Sequence, residues 1–374
     1  MIRYTATCLF GLESLLGAEI DALGYHRVAT IDGRVTFEGD ESAAARANIN
    51  LRFAERVYIN LGEFDAPTFT ALFDGTAALP WEEYIGRYDA FPVKGHAIKS
   101  VLFSVPDCQK IVKKAVARRL GEKYGMVQLP ENGVKYQIEF FILKDRAALM
   151  IDTSGMPLHK RGYRPETVAA PLRETLAAAV AAFSRPREDV VLRDPFCGSG
   201  TIAIEGAMQM LRIAPGAGRC FAAEAFARFP DALWRTARQE AADRVIRDST
   251  FEAFASDIDP ECVRIAAQSA QRAGVAGHVR VEQMDALDIV TEDRRGTIVT
   301  NPPYGERLMT EGEAEELYRQ MGKAWTRLGR WQIYVLTPCE TFERLYGRRA
   351  DKIRKLYNGM IPCRFYQFFK SKTE

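Results

Sequence analysis

The sequence predicts a mixed α/β protein. A doubly wound, Rossmann-like sheet with an antiparallel C-terminal hairpin fills the second half, and smaller α+β modules precede it. Three observations lead there. The apolar run 190–194 passes through a turn holding Gly198 and Gly200 into the helical stretch 201–211, which is how a doubly wound sheet opens. Three further strand-like runs follow, at 251–258, 279–282 and 297–299. Near the end, runs 352–356 and 363–369 flank Asn358-Gly359, a hairpin-turn pair. A chain of 374 residues exceeds one ordinary core. We divide it into a small unit at 1–55, a second α+β unit at 56–155, a linker and packing helix at 156–185, and the doubly wound domain at 186–374.

Composition narrows the class. The hydrophobic fraction of 47% and charged fraction of 27% are those of a globular protein, and no apolar run is long enough to span a membrane. Met1-Ile2-Arg3-Tyr4 leads straight into an amphipathic pattern, so no secretory leader is expected. Seven cysteines without a Cys-x-x-Cys pair argue for reduced thiols in the cytoplasm and against zinc; the four histidines show no metal-ligand spacing. Net charge is only +2, yet residues 94–123 carry eight Lys/Arg and residues 344–372 carry nine. Clusters of that kind suit a polyanion.

In chain order, residues 4–10 read as a strand and 12–23 as a helix closed by Gly24. A short strand at 34–38 and a helix at 43–50 follow. The second unit opens with a strand at 56–61 and a helix at 68–79 that continues through Trp81. A strand-like stretch is expected at 97–102, then a basic helix at 108–120 with Lys110, Lys113, Lys114 and Arg118 on its polar side. Strands 136–143 and 147–152 meet at Lys144-Asp145-Arg146. The order of these elements, with Phe103-Ser104-Val105-Pro106-Asp107 leading into the basic helix, resembles a THUMP domain, an RNA-binding module of RNA-modifying enzymes. The resemblance, rather than the charge, implies RNA as the partner and the four basic residues as its contacts.

The connector Leu158-His159-Lys160-Arg161-Gly162-Tyr163-Arg164 precedes a helix at 171–180, with Pro171 in its first turn. Beyond the strand at 190–194 comes Asp194-Pro195-Phe196-Cys197-Gly198-Ser199-Gly200-Thr201. Glycines let a ligand approach the backbone, the helix start favours a carboxylate, and Asp194 can accept from an ammonium group. These complement the amino-acid end of S-adenosylmethionine. A dinucleotide turn is excluded by Thr201 and Ala203, and a Walker loop by the lack of a following Gly-Lys-Ser/Thr. The motif closely resembles the first motif of class I methyltransferases. That resemblance implies that Phe196, Cys197, Ser199 and Thr201, with Arg164, Pro171 and Leu172 along the methionine side, complete the cofactor site.

The next strand ends at Ser256-Asp257-Ile258-Asp259-Pro260. A carboxylate there can take both ribose hydroxyls; Asp257 is the first choice, beside Ile258, and Asp259 the second, since Asp259 also suits a helix start. The long interval after Gly200 requires an insertion at 213–247. Asp285, with Ala286, can accept from the adenine amine or else cap a turn. Last comes Asn301-Pro302-Pro303-Tyr304, ahead of a polar loop. Two prolines make a stiff extended turn, the Asn301 side chain and the Pro302 carbonyl are acceptors, and Tyr304 offers a face for stacking. The set fits a planar group with an exocyclic NH₂, and it resembles the catalytic motif of amino methyltransferases.

Taken together the chain resembles the bacterial THUMP-containing guanine-N2 methyltransferases of large-subunit (23S) ribosomal RNA: the amino-terminal half of the fused enzyme RlmKL, and stand-alone relatives labelled adenine-specific DNA methylases. The resemblance implies S-adenosylmethionine as cofactor, S-adenosylhomocysteine as product, no metal, no membrane, and 23S rRNA or its precursor as partner. Direct transfer to the amine is expected, with Asn301 and the Pro302 carbonyl holding the NH₂ and Tyr304 stacking on a flipped base. The alternatives are an adenine-N6 methyltransferase of DNA or RNA, a protein glutamine methyltransferase, and a non-catalytic RNA-binding or assembly factor.

Overall fold

A computed structural model of the chain describes residues 1–164, 172–291, 294–304 and 309–369. They form two compact units. The first comprises Met1–Cys8, Leu16–Leu158 and Arg219–Glu240; the second comprises Leu9–Leu15, His159–Gly218 and Ala241–Glu374. Leu9–Leu15 thus belongs with the C-terminal unit, and most of the expected insertion belongs with the N-terminal one.

The first unit contains β1 (Ile2–Thr7), most of α1 (Glu13–Ala22), β2 (His26–Ile31), β3 (Arg34–Gly39), α2 (Ser42–Asn50), β4 (Arg56–Asp65), α3 (Phe69–Ala77), β5 (Val93–Ile98), α4 (Val105–Tyr124), β6 (Ile138–Leu143), β7 (Arg146–Asp152) and the greater part of α7 (Asp231–Asp243). Its single sheet runs β2-β3-β1-β4-β7-β6-β5, with only β5 and β6 parallel. Alternating apolar residues make β6 a half-buried strand: Ile138, Phe140 and Ile142 are buried. Helix α4 outruns the expected 108–120 at both ends. It begins after Ser104, whose hydroxyl donates to Asp107 at 2.6 Å, and ends at Gly125 in the left-handed conformation. The strand expected at 97–102 lies instead at β5. Beyond Ile98 the chain turns with Lys99 at φ +49°, a conformation that ends a strand. The β2 strand had no counterpart in the sequence reading, because its residues are all exposed and carry no alternating apolar signal.

The second unit holds α5 (Glu174–Phe183), β8 (Val191–Asp194), α6 (Thr201–Met210), the end of α7 (Asp231–Asp243), β9 (Ala253–Asp257), α8 (Pro260–Arg272), β10 (Val279–Gln283), β11 (Gly296–Thr300), α9 (Glu311–Trp325), β12 (Gln332–Thr337), α10 (Phe342–Tyr346), β13 (Lys352–Asn358) and β14 (Ile361–Phe368). Its sheet runs β10-β9-β8-β11-β12-β14-β13, parallel except for β14, which is antiparallel to both neighbours. The order reverses between β8 and β11, which creates the crevice where such sheets bind ligands. One face is packed by Phe342, Tyr346, Tyr318, Trp325, Tyr366 and Phe368, with Phe342 and Tyr346 stacked at 5.3 Å.

Three expectations change here. Asn358 pairs with Ile361, so the hairpin turn is Gly359-Met360 rather than Asn358-Gly359; Gly359, at φ +64°, takes the first turn position, in the left-handed region that favours glycine. Helix α5 starts at Glu174, later than expected, and Pro171 lies outside the described residues. Helix α9 replaces what read as a polar loop after Tyr304. Thr310 and Glu313 form its capping box.

Candidate active site

The carboxyl ends of β8, β9, β10 and β11 surround a cavity of about 780 Å³, all within the second unit. Asp194 closes β8 and is almost wholly buried. Its Oδ1 accepts from the Thr300 hydroxyl at 2.7 Å and from the Phe196 amide at 3.4 Å. Burial pushes its carboxyl up to about 7, against the lowering effect of those two donors, while Asp257 adds to the rise. An acid held this way gains most from a cation placed beside it.

After Asp194 the turn is drawn onto β9. The Cys197 amide donates to the Ser256 carbonyl at 3.0 Å, and the Gly198 amide donates to Asp257 Oδ2 at 2.9 Å. Gly200 precedes α6 at φ +77°, where a Cβ would press on Ala266 at 3.1 Å. The Ser199 and Thr201 hydroxyls bond to each other at 3.0 Å. Burial drives the Cys197 thiol far above its ordinary range, which removes it as a nucleophile.

The cavity wall includes Leu172, Asp194, Phe196, Cys197, Gly198, Ser199, Thr201, Asp257, Ile258, Asp259, Asp285, Ala286, Asn301 and Pro303. Arg164, Gly200, Pro302 and Tyr304 are not part of it. Arg164 instead stands behind Leu172: its guanidinium binds Glu174 at 3.0 and 2.6 Å and donates to the Leu172 carbonyl at 3.2 Å. Asp259 caps α8, accepting from the Glu261 amide at 2.8 Å. Asp285 Oδ1 accepts from the Leu287 amide at 2.9 Å, so it caps its own turn while facing the cavity. Sequence reasoning missed Cys262, Ile265, Met309, Leu317 and Gln320 in the wall. Leu317 and Gln320 come from α9. Ile265 was legible as a buried apolar position of α8, one turn before Ser269.

Asn301 follows β11. Its side-chain oxygen is buried and has no hydrogen-bond partner among the described residues. An orphaned buried acceptor costs about 1–3 kcal/mol, so it marks a place prepared for a donor. The neighbouring backbone is braced. Tyr318 donates to the Pro303 carbonyl at 3.3 Å, and its hydroxyl meets that of Thr337 at 3.1 Å. The Tyr304 hydroxyl accepts from Asn358 at 2.8 Å, and burial pushes its phenol up to about 12.

The basic helix of the first unit is more occupied than its sequence implies. Lys110 pairs with Asp107 at 3.3 Å and Arg118 with Glu122 at 2.8 Å. Lys113 is tied to Glu131 and lies 3.6 Å from the Phe91 ring centre. Lys114 is exposed. Among the described residues no helix is long and apolar enough to cross a membrane, and no group of three or more His, Cys, Asp or Glu is placed to hold a metal ion.

A sheet of this order, a glycine turn tied to the next strand's acid, and an Asn-Pro-Pro-Tyr loop over one cavity define an S-adenosylmethionine-dependent class I methyltransferase. Residues 161–367 match the RMKL-like methyltransferase domain, and the chain belongs to that family. Residues 3–58 match the RlmL ferredoxin-like domain and residues 66–152 the THUMP domain. The chain is 43% identical over 384 residues to "Putative RNA methyltransferase YpsC" of Bacillus subtilis, covering 100% of both. It is 34% identical over 385 residues to ribosomal RNA large subunit methyltransferase K/L of Syntrophotalea carbinolica, covering 98% of this chain and 53% of that one. It therefore spans about half the length of the K/L protein. Among solved structures, SMU.472, described as a putative methyltransferase complexed with SAH, is 40% identical with a TM-score of 0.93, covering 100% of this chain and 99% of that one.

Proposed function

We propose that this methyltransferase acts on RNA in the cytoplasm, transferring a methyl group to the exocyclic N2 amine of a guanine in large-subunit (23S) ribosomal RNA. The observation that carries the amine reading is the buried, unpartnered side-chain oxygen of Asn301. An exocyclic NH₂ is the donor it lacks. The RNA reading is supported by the THUMP match and by the names of the YpsC and K/L relatives. Guanine N2 rests on the resemblance of the whole chain to the RlmKL family.

The cavity residues fit the cofactor. Asp194 and the turn around Gly198 would hold its amino-acid end, Asp257 its ribose, and Asp285 with Ala286 its adenine. S-adenosylmethionine supplies a sulfonium-activated methyl group when bound. The protein's part is positioning and charge complementarity. Asn301 Oδ1 and the Pro302 carbonyl each accept one N–H of the target amine, turning its lone pair toward the cofactor side. Tyr304 stacks on the extruded base. The phenol stays protonated near neutral pH, so it takes no proton from the amine; that proton leaves to solvent after transfer. The first unit would grip RNA by phosphates and shape.

The test uses ribosomal RNA from a strain lacking the gene. The RNA is incubated with the purified full chain and methyl-labelled cofactor, then digested to nucleosides for mass spectrometry. Label in N2-methylguanosine is expected. Label in N6-methyladenosine, or in DNA or protein with none in RNA, would overturn the substrate assignment.

A further inference from the structure

Tyr304 is fastened from a distant part of the chain. Its hydroxyl accepts from Asn358 Nδ2 at 2.8 Å and also meets the Cys363 thiol. Asn358 is the last residue of β13 and Cys363 lies in β14, on either side of the tight Gly359-Met360 turn. Leu356 pairs with Cys363 and Asn358 with Ile361, so both groups come from a hydrogen-bonded ladder. Cys363 is buried and Tyr304 and Asn358 are partly so. A tyrosine on a loop can swing about its first side-chain bond. One fixed at its far end by two partners cannot, and in-plane hydrogen bonding at the hydroxyl also favours one tilt of the ring.

We propose that Asn358, backed by Cys363, is a positioning residue for methyl transfer: the β13–β14 hairpin anchors the Tyr304 ring so that its face stands ready for the target base while Asn301 holds the amine. This rests on the reading above that Tyr304 stacks on that base. The two prolines stiffen the backbone of the loop, and the hairpin stiffens its one aromatic side chain. The Tyr304 hydroxyl is thereby spent on structure, which separates this role from acid–base chemistry. A misplaced ring lowers the rate of reaction from the bound complex more than it weakens the complex, because RNA is held over a wide surface and the target base at one point.

Four proteins decide the matter: wild type, Asn358→Ala, Tyr304→Phe and the double variant. Tyr304→Phe keeps the ring and removes the same bond from its other end, so it also serves if Asn358→Ala folds poorly. Each single change should lower kcat on ribosomal RNA about ten-fold, with KM for RNA and S-adenosylhomocysteine affinity within about two-fold of wild type. The double variant should be no slower than either single one. Losses that multiply, or Asn358→Ala at the wild-type rate, would overturn the proposal. Fluorine NMR of fluorotyrosine-labelled protein, with the Tyr304 signal assigned by its loss in Tyr304→Phe, reads the clamp without any substrate. Asn358→Ala should move and sharpen that signal; an unchanged signal overturns the clamp. If wild type transfers nothing to RNA, the substrate reading fails and the NMR result still decides the anchoring.

Discussion

The Thr300 hydroxyl donates to the Asp194 carboxylate at 2.7 Å, linking the ends of two adjacent parallel strands, β11 and β8, whose partners lie 106 residues apart in the chain. The bond ties the loop that would hold the amine to the acid that would hold the cofactor. Hydrogen bonds to charged groups are worth about 1.5–3 kcal/mol. Thr300→Val keeps the shape and removes the donor. We expect the KM for S-adenosylmethionine to rise about ten-fold or more, with a smaller change in kcat at saturating cofactor; steady-state kinetics at varied cofactor checks it.

The elevated Asp194 carboxyl makes cofactor binding depend on pH. In the free protein it titrates at about 7, and the cofactor's ammonium group requires the ionised form. Affinity for S-adenosylhomocysteine should therefore rise from pH 5 to about 7 and level off above, with proton release on binding below that point. Stability of the free protein runs the other way. An acid whose folded value is raised takes up protons on folding between its unfolded value, near 4, and about 7, so this contribution is full at low pH and lost as pH rises through that window. Calorimetry and thermal unfolding of wild type and Asp194→Asn should show both trends in the first and neither in the second.

The orphaned oxygen of Asn301 sets a sharper expectation. Asn301→Ala removes a buried acceptor that nothing among the described residues uses. The unliganded protein should be as stable as wild type or slightly more so, bind S-adenosylhomocysteine normally, and lose about a hundred-fold or more in kcat. Melting curves, calorimetry and methyl-transfer assays on one preparation test all three.

Lys113 and Lys114 are neighbours with different expected roles. Lys113 is engaged by Glu131 and the Phe91 ring, so Lys113→Ala should lower the melting temperature of the first unit. Lys114→Ala should leave stability alone, weaken RNA binding, and reduce the slope of log affinity against log salt by about one. Filter binding at several salt concentrations separates them.

Legibility in the sequence followed the range of the forces involved. The glycine turn after β8, the acid ending β9 and the prolines after β11 are local chemistry; Gly198, Asp257 and Pro303 line one cavity, whereas Gly200 and Pro302 do not. Helix α9 was also legible: Ala314, Leu317, Tyr318, Met321 and Trp325 recur at helical spacing behind Thr310 and Glu313, although four glutamates among its first six residues and the cap disguise the stripe as a loop. What sequence alone withheld were pairings between distant side chains. Arg164 suits a ligand anion as well as it suits Glu174. Nothing near Tyr304 points to Asn358, and nothing in β2 sets it apart from an exposed loop.

The exchange of segments between the two units bears on the order in which they can be completed during synthesis. Tyr136 of the first unit stacks on Phe226 at 4.0 Å, and Arg219 caps the Met156 and Leu158 carbonyls at 2.8 and 3.0 Å. A nascent chain that has just emerged through Leu158 lacks all of these partners. The N-terminal unit finishes only after the turn around Gly198 and helix α6 have left the ribosome. A fragment ending near residue 155 would leave the Tyr136 face bare and invite aggregation, whereas the whole chain supplies its own cover some seventy residues later.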